Sequence, residues 1–376
     1  MKKVGIMSMQ RVANYGSFLQ AYALKQIIEE LGCSVEFVDY HVGKTLIEEK
    51  KSILGQKVHK ALNYLIGDGR FIDRINFINH KRLFIKNYGD YLGISDVENF
   101  NPILDVLLIG SDEVFNCIQS NPNVGFSLEL FGANNKAKRL ISYAASFGNT
   151  TIEKLMKYKV DEEVKKNLNN FDYLSVRDKN SISIVKTLIN KTPSYHIDPV
   201  LLYDYMKDCK KIPDKVDEEN YIILYAYPGR INKEENEIIK AYAKAHNKKI
   251  ICFGGVQKCC DKFIDCSPFE VLSYFKNADG IITDTFHGTI FSIINNKKFI
   301  TLVRKSQGSS YGNEEKLTDL LTRLKLDKRI QYDLRNLDKL LSENIDYSDT
   351  NDIIKVERSK AKAYLADSIM KGWKSE

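Results

Sequence analysis

The strongest constraint on this chain is an alternation of short apolar runs with longer amphipathic ones, repeated twice. "KVGIMSM" reads as a first buried strand, "SFLQAYALKQIIEELG" as a helix with Ser17 placed to cap it and Gly32 to end it, and "SVEFVDY" as a second strand. Three more apolar runs follow, "DVLLIG", "RLISYAAS" and "YLSVRD", the last leading into the helical "NSISIVKTLIN". A charged stretch ending in "KKIPDKVDEEN" interrupts the pattern and reads as a linker. The alternation then restarts with "YIILYAY", "KEENEIIKAYAKAHN", "KIICFG", "PFEVLSYFKNA", "GIITD", "GTIFSIINN" and "KFITLV". Strands alternating with helices favour parallel sheets covered on both faces, so the expected fold is α/β with two doubly wound Rossmann-like domains facing a cleft. The expected boundaries are 1–205, with a helical insertion at 41–90, then 206–348, and a C-terminal helix in 349–376 packing back on the first domain.

Composition narrows the function classes. At 376 residues, with 43% hydrophobic and 28% charged side chains, the chain can bury about two ordinary domain cores. It has no run of about 18 apolar residues, and its opening "MKKVGIMSMQRVANYG" lacks a signal-peptide core, so a cytoplasmic protein is expected. The seven cysteines include no C-x-x-C pair, which argues against a secreted disulfide framework. "CFGGVQKCCDKFIDC" matches no common zinc spacing, so its cysteines are expected to be small apolar residues around a strand and no metal site is anticipated.

Charge is uneven. Residues 41–90 hold ten Lys and Arg against five acids, a surplus of five out of the chain's net +7. With Ile53, Leu54, Val58, Leu62, Leu65 and Ile66 interleaved, the segment reads as one or two basic-faced helices suited to an anionic membrane surface or a polyanionic substrate, or as a plain solvated face. Nucleic acid is not an expected partner, because no recognised binding signature is present.

In doubly wound sheets, ligands bind beyond the carboxyl ends of the strands. The polar residues there are Asn14, Tyr15 and Gly16 after the first strand, then Gly110, Ser111 and Asp112, then Ser146 and Gly148, then Arg177 and Asp178, and His287 after "GIITD". Gly16 would let backbone approach a ligand at a helix start that suits phosphate or carboxylate, or would simply open a capped helix. Asp112 and Glu113 place a carboxylate where it would bind or deprotonate a hydroxyl, or form a turn. Arg177 offers a fork for a carboxylate or phosphate, or an ion pair with Asp172 or Asp178. His287, beside Gly288 and Thr289 at a helix start, would hold an anion or deliver a proton.

The ordered set "NYGSFLQAYAL", "IGSDEVFN", "ISYAASFG", "LSVRD", "DPVLLY" and "TDTFHGTIFSIINNKKFI" resembles the polysaccharide pyruvyl transferase family over roughly residues 3–325. The resemblance implies a GT-B-like pair of domains and transfer of a pyruvyl group from phosphoenolpyruvate to a saccharide, usually as a ketal, with no cofactor beyond phosphoenolpyruvate as co-substrate. His287 matches the family's donor-recognising histidine and Arg177 its strand-end arginine; with Asp112, whose carboxylate would take a hydroxyl proton, these are the expected catalytic residues. Asn14, Tyr15, Gly16, Ser17, Ser146, Thr285, Gly288, Thr289 and Arg304 would meet the donor, and Gly110, Ser111, Glu113 and Asn116 the acceptor. Where some members carry Arg two residues before the histidine, this chain has Thr285, with Arg304 and Lys305 as possible substitutes. The expected acceptor is a lipid-linked glycan intermediate of capsule, exopolysaccharide or cell-wall assembly, met at the inner face of the membrane. Two other functions fit the same fold: a glycosyltransferase using a nucleotide sugar, and a saccharide-binding relative without turnover.

Overall fold

A computed structural model describes residues 1–47, 69–305 and 312–372. The N-terminal sheet holds β1 (Lys3–Met7), β2 (Ser34–Phe37), β3 (Val106–Asp112), β4 (Arg139–Ala145), β5 (Ser175–Val176) and β6 (Ser194–Tyr195). All are parallel, in the order β2-β1-β3-β4-β5-β6. The second sheet holds β7 (Tyr221–Tyr225), β8 (Lys249–Phe253), β9 (Lys262–Phe263), β10 (Gly280–Thr283), β11 (Phe299–Leu302) and β12 (Ile330–Gln331). It too is parallel, in the order β9-β8-β7-β10-β11-β12. Two Rossmann-like domains therefore face each other, the GT-B-like arrangement. The central strands are apolar almost throughout because helices cover both faces of each sheet.

The connections reverse direction between β1 and β3 in one sheet and between β7 and β10 in the other. Such reversals open a crevice at the carboxyl ends of the paired strands. Both crevices point at the same place, and the residues after β1, β3, β7 and β10 meet there.

Several local features differ from the sequence expectation. Asn14, not Ser17, caps the first helix, Tyr15–Glu30: its side-chain oxygen accepts the N–H groups of Gly16 and Ser17 at 2.7 and 3.3 Å. The helix after β10 starts at Phe286 with Thr285 as its cap, so His287 lies in the first helical turn. The segment just before the charged linker is buried. Asp198 through Tyr203 are enclosed, because Pro199–Leu202 form an apolar turn of helix against the first helix and the C-terminal one. Cys252 and Cys260 are neighbours in the core of the second domain, with Cα atoms 6.0 Å apart.

The last helix, Ser348–Met370, lies on the N-terminal domain. Arg358 donates to the Leu201 carbonyl at 2.6 Å, Tyr364 to that of Ser142 at 2.9 Å, and Arg139 to that of Ser368 at 2.8 Å. Within the basic segment 41–90, residues 48–68 lie outside the described residues; helix Phe71–Tyr88 is described and spans the two domains. Asp73 accepts the Phe263 N–H at 3.2 Å, His80 meets Asp265 at 2.7 Å, and Phe84 packs on Tyr15 and Phe18. Among the described residues, no helix is long and apolar enough to cross a membrane.

Candidate active site

A cavity of about 320 Å³ occupies the joint crevice. Asn14 and Ser17 border it after β1, Asp112 and Glu113 after β3, Arg177 after β5, Tyr227 and Arg230 after β7, and Asp284, Thr285 and His287 after β10. Lys81 from the bridging helix and Lys316 complete its charged wall. The two domains touch across it where Asn14 donates to the Tyr227 hydroxyl at 2.7 Å.

Its deepest part is a buried ionic network. Arg177 donates through one amino group to Asp198 at 2.7 Å and through the other to Asp112 at 3.1 Å. Its guanidinium also lies 4.4 Å from the centre of the Phe286 ring. The second oxygen of Asp112 accepts the Ser17 hydroxyl at 2.7 Å. The Nε2 of His287 stands 3.5 Å from Asp198, which also accepts the Val200 N–H at 3.0 Å. Burial alone would raise both carboxyls. Arg177, His287 and the Ser17 hydroxyl outweigh it at Asp112, and His287 and Arg177 do so at Asp198, so both sit below the usual carboxylate range. Asp284 goes the other way: burial raises its carboxyl, and Arg230 and Arg304 only partly offset this.

These contacts sort the residues expected from sequence. Asn14, Ser17, Asp112, Glu113, Arg177, Thr285 and His287 come together on the cavity. Tyr15 turns into the core between the domains, donating to the Cys266 carbonyl at 3.1 Å. Gly16 is packed under the His287 ring, and its N–H is already held by Asn14. The buried Ser111 donates to the Ala144 carbonyl at 2.9 Å, and Gly110 lies inside β3 against the Tyr143 carbonyl. Asn116 braces Glu113 at 2.9 Å, and Ser146 donates to Asp178. Gly288 and Thr289 are enclosed, the latter bonded to Thr285 and Thr301. Arg304 is clamped by both oxygens of Glu235, at 2.7 and 2.9 Å, and does not border the cavity. Lys305 lies over the Tyr332 ring.

The family model for polysaccharide pyruvyl transferase matches residues 14–306, which include Asn14, Ser17, Asp112, Glu113, Arg177, Asp284, Thr285 and His287 of this cavity. The chain belongs to the polysaccharide pyruvyl transferase family. No curated protein matches it. Among solved structures it is similar to the UDP-GlcNAc 2-epimerase of Neisseria meningitidis, at 10% identity over 96% of this chain and 99% of that one, with a TM-score of 0.47. A putative UDP-N-acetylglucosamine 2-epimerase from Listeria monocytogenes gives 10% identity, 97% and 94% coverage and a TM-score of 0.47. The MurG of Acinetobacter baumannii gives 11%, 99% and 100%, and 0.41.

Within this member of the pyruvyl transferase family, sequence reasoning missed Asp198, Lys81, Tyr227, Arg230, Asp284 and Lys316 as cavity or network residues. Asp284 directly follows β10, and Tyr227 and Arg230 follow β7, so the strand-end rule reaches all three. Lys316 and Lys81 come from helices outside that rule. Among the described residues no group of His, Cys, Asp and Glu is arranged to hold a metal ion.

Proposed function

We propose that this protein transfers a pyruvyl group from phosphoenolpyruvate to two hydroxyls of a saccharide, forming a ketal and releasing phosphate. The observation that carries this reading is the convergence of His287 with the Arg177–Asp112–Asp198 network on one small cavity of a pyruvyl transferase family member. At about 320 Å³ the cavity lies at the low end of ligand pockets, roughly 300–1,000 Å³, which suits a compact polyanion beside one sugar ring.

The proton inventory closes without a further reactant. The C2–C3 electron pair of the enol takes a proton to become a methyl group, and one hydroxyl oxygen bonds to C2. The C2–O bond to phosphorus then breaks with its electrons, and the second hydroxyl closes the ketal. Of the two hydroxyl protons, one replaces that given to carbon and the other leaves on phosphate. His287, backed by Asp198, supplies the proton and positive charge opposite the departing phosphate. Asp112 is a weak base, because its carboxyl is held low and both oxygens already accept hydrogen bonds. It therefore orients the acceptor hydroxyl, and the proton passes on as the C–O bond forms. Arg177 acts behind it. Both of its amino groups are committed to Asp112 and Asp198, so it fixes the network rather than clasping the donor carboxylate.

The acceptor in this reading is a lipid-linked glycan reached at an anionic membrane surface. Support comes from the basic surplus of residues 41–90, from exposed Arg82 and Lys86, and from Phe71 and Ile72, 58% and 54% exposed at the start of the bridging helix. Each Lys or Arg near such a surface contributes about 1 kcal/mol. The deciding experiment follows phosphate release from phosphoenolpyruvate with and without a glycan acceptor, with nucleotide sugars in parallel. Acceptor-dependent release is expected. Turnover of a nucleotide sugar instead, or donor binding without release, would overturn the assignment.

A further inference from the structure

Among the described residues, five cationic side chains border the cavity, and four have a carboxylate opposite them. Arg177 meets Asp112 and Asp198, Lys316 meets Glu113 at 2.7 Å, Arg230 faces Asp284 at 3.4 Å, and His287 faces Asp198 at 3.5 Å. Lys81 differs. Its ammonium donates to the Ala13 carbonyl beside the first switch point and stands 5.8 Å from the centre of the Phe77 ring. Among the described residues no carboxylate pairs with it.

The helix that carries Lys81 is pinned on both sides, by Asp73 and His80 to the second domain and by Phe84 to the first helix. Its ammonium is thus held at the cavity wall rather than sweeping through solvent. Withdrawing an ammonium from water without a counter-ion is unfavourable, and an arriving anion removes that penalty. We propose that Lys81 binds an anionic group of the donor, the phosphate or the carboxylate of phosphoenolpyruvate, an assignment that rests on the pyruvyl-transfer reading of the site. In keeping with this, burial brings the Lys81 ammonium down to about 8.

The test is phosphoenolpyruvate titrated into wild type, Lys81→Met and Lys81→Arg, with inorganic phosphate and pyruvate as separate competitors and melting curves taken without ligand. Lys81→Met is expected to bind phosphoenolpyruvate at least about tenfold more weakly, as for loss of a charge-assisted hydrogen bond. Its ligand-free melting temperature should hold or rise, because an uncompensated charge has gone. Lys81→Arg should stay within about threefold of wild type. Weakening against either competitor supports the contact, and the competitor affected names the end of the donor involved. Wild-type affinity in Lys81→Met, or a matching fall in ligand-free stability in both variants, overturns it. A wild-type protein that does not bind phosphoenolpyruvate removes the pyruvyl-transfer reading as well, which separates the two failures.

Discussion

The imidazole of His287 lies against the bare α-carbon of Gly16, so closely that a methyl group built there would stand 2.2 Å from two ring atoms. One residue belongs to each domain, so this is a contact between domains at the floor of the cavity. Gly16 is required here by space, since it sits in the first turn of a helix with no positive φ. Gly16→Ala should push the ring aside and cost about 1–3 kcal/mol of stability, as overpacking does. Phosphoenolpyruvate-dependent phosphate release should fall about a hundredfold, the scale expected when a reacting group is displaced by an ångström. Melting curves and turnover on the same preparation check both numbers.

Arg177 should prove a stability residue before it proves a catalytic one. Its side chain is 2% exposed and is the shared partner of two buried carboxylates. Arg177→Ala leaves Asp112 and Asp198 with His287 as their remaining cationic partner, and breaking a buried pair of this kind costs about 3–5 kcal/mol. Because both carboxyls are held below their ordinary range, the stability they contribute is complete above roughly pH 4 and disappears as pH falls through the lowered values. Denaturant titration between pH 2 and 7 should show that acid-side loss in wild type and a flatter profile in Arg177→Ala.

The legible part of this molecule was the part dictated by periodicity. Strands such as Val106–Asp112 and Gly280–Thr283 are covered on both faces, and uninterrupted apolar runs announce them. Asp112, Arg177 and His287 followed, because the end of a buried strand is a fixed place. Partners were harder. Asp198 holds Arg177 from 21 residues further on, across the two-residue strand Ser194–Tyr195, and no local pattern encodes that pairing. Ser17 and Asn14 are both capping types three residues apart, and only tertiary context, the pull of Asp112 on the Ser17 hydroxyl, separates their roles. Lys81 was counted among surface charges because the helix Phe71–Tyr88 intersperses polar and apolar residues and touches both domains, so no single face marks what it buries.

Donor affinity should also carry the titration of Lys81. The ammonium is charged below about pH 8 and neutral above, so phosphoenolpyruvate binding should be level near pH 7 and weaken by up to about tenfold per unit above pH 8. Asp112, Glu113, Asp284, Arg177, Arg230, His287 and Lys316 face the same cavity, and Lys81→Arg isolates one contribution among them. An arginine stays charged throughout, so that variant should lose the decline. Calorimetric titrations at half-unit steps from pH 7 to 9.5 would show it.

His287 offers the sharpest test of mechanism. Its ring is largely buried, faces Asp198 at 3.5 Å and borders the cavity. His287→Ala should lower phosphoenolpyruvate turnover by about 10² to 10⁴, the range of a positioned proton donor. Stability should fall by no more than about 1–2 kcal/mol, because Arg177 still neutralises one carboxylate and bridges the other. His287→Asn separates charge and proton from shape, since an amide donates a hydrogen bond but delivers no proton. Donor binding restored without turnover supports proton delivery by His287, and restored turnover reduces the residue to positioning phosphate. If a folded His287→Ala protein releases phosphate at the wild-type rate, the chemistry belongs elsewhere on the cavity wall. Asp284 is then the next residue to replace, since it lines the same cavity and burial keeps its carboxyl above the usual range, as a proton donor needs.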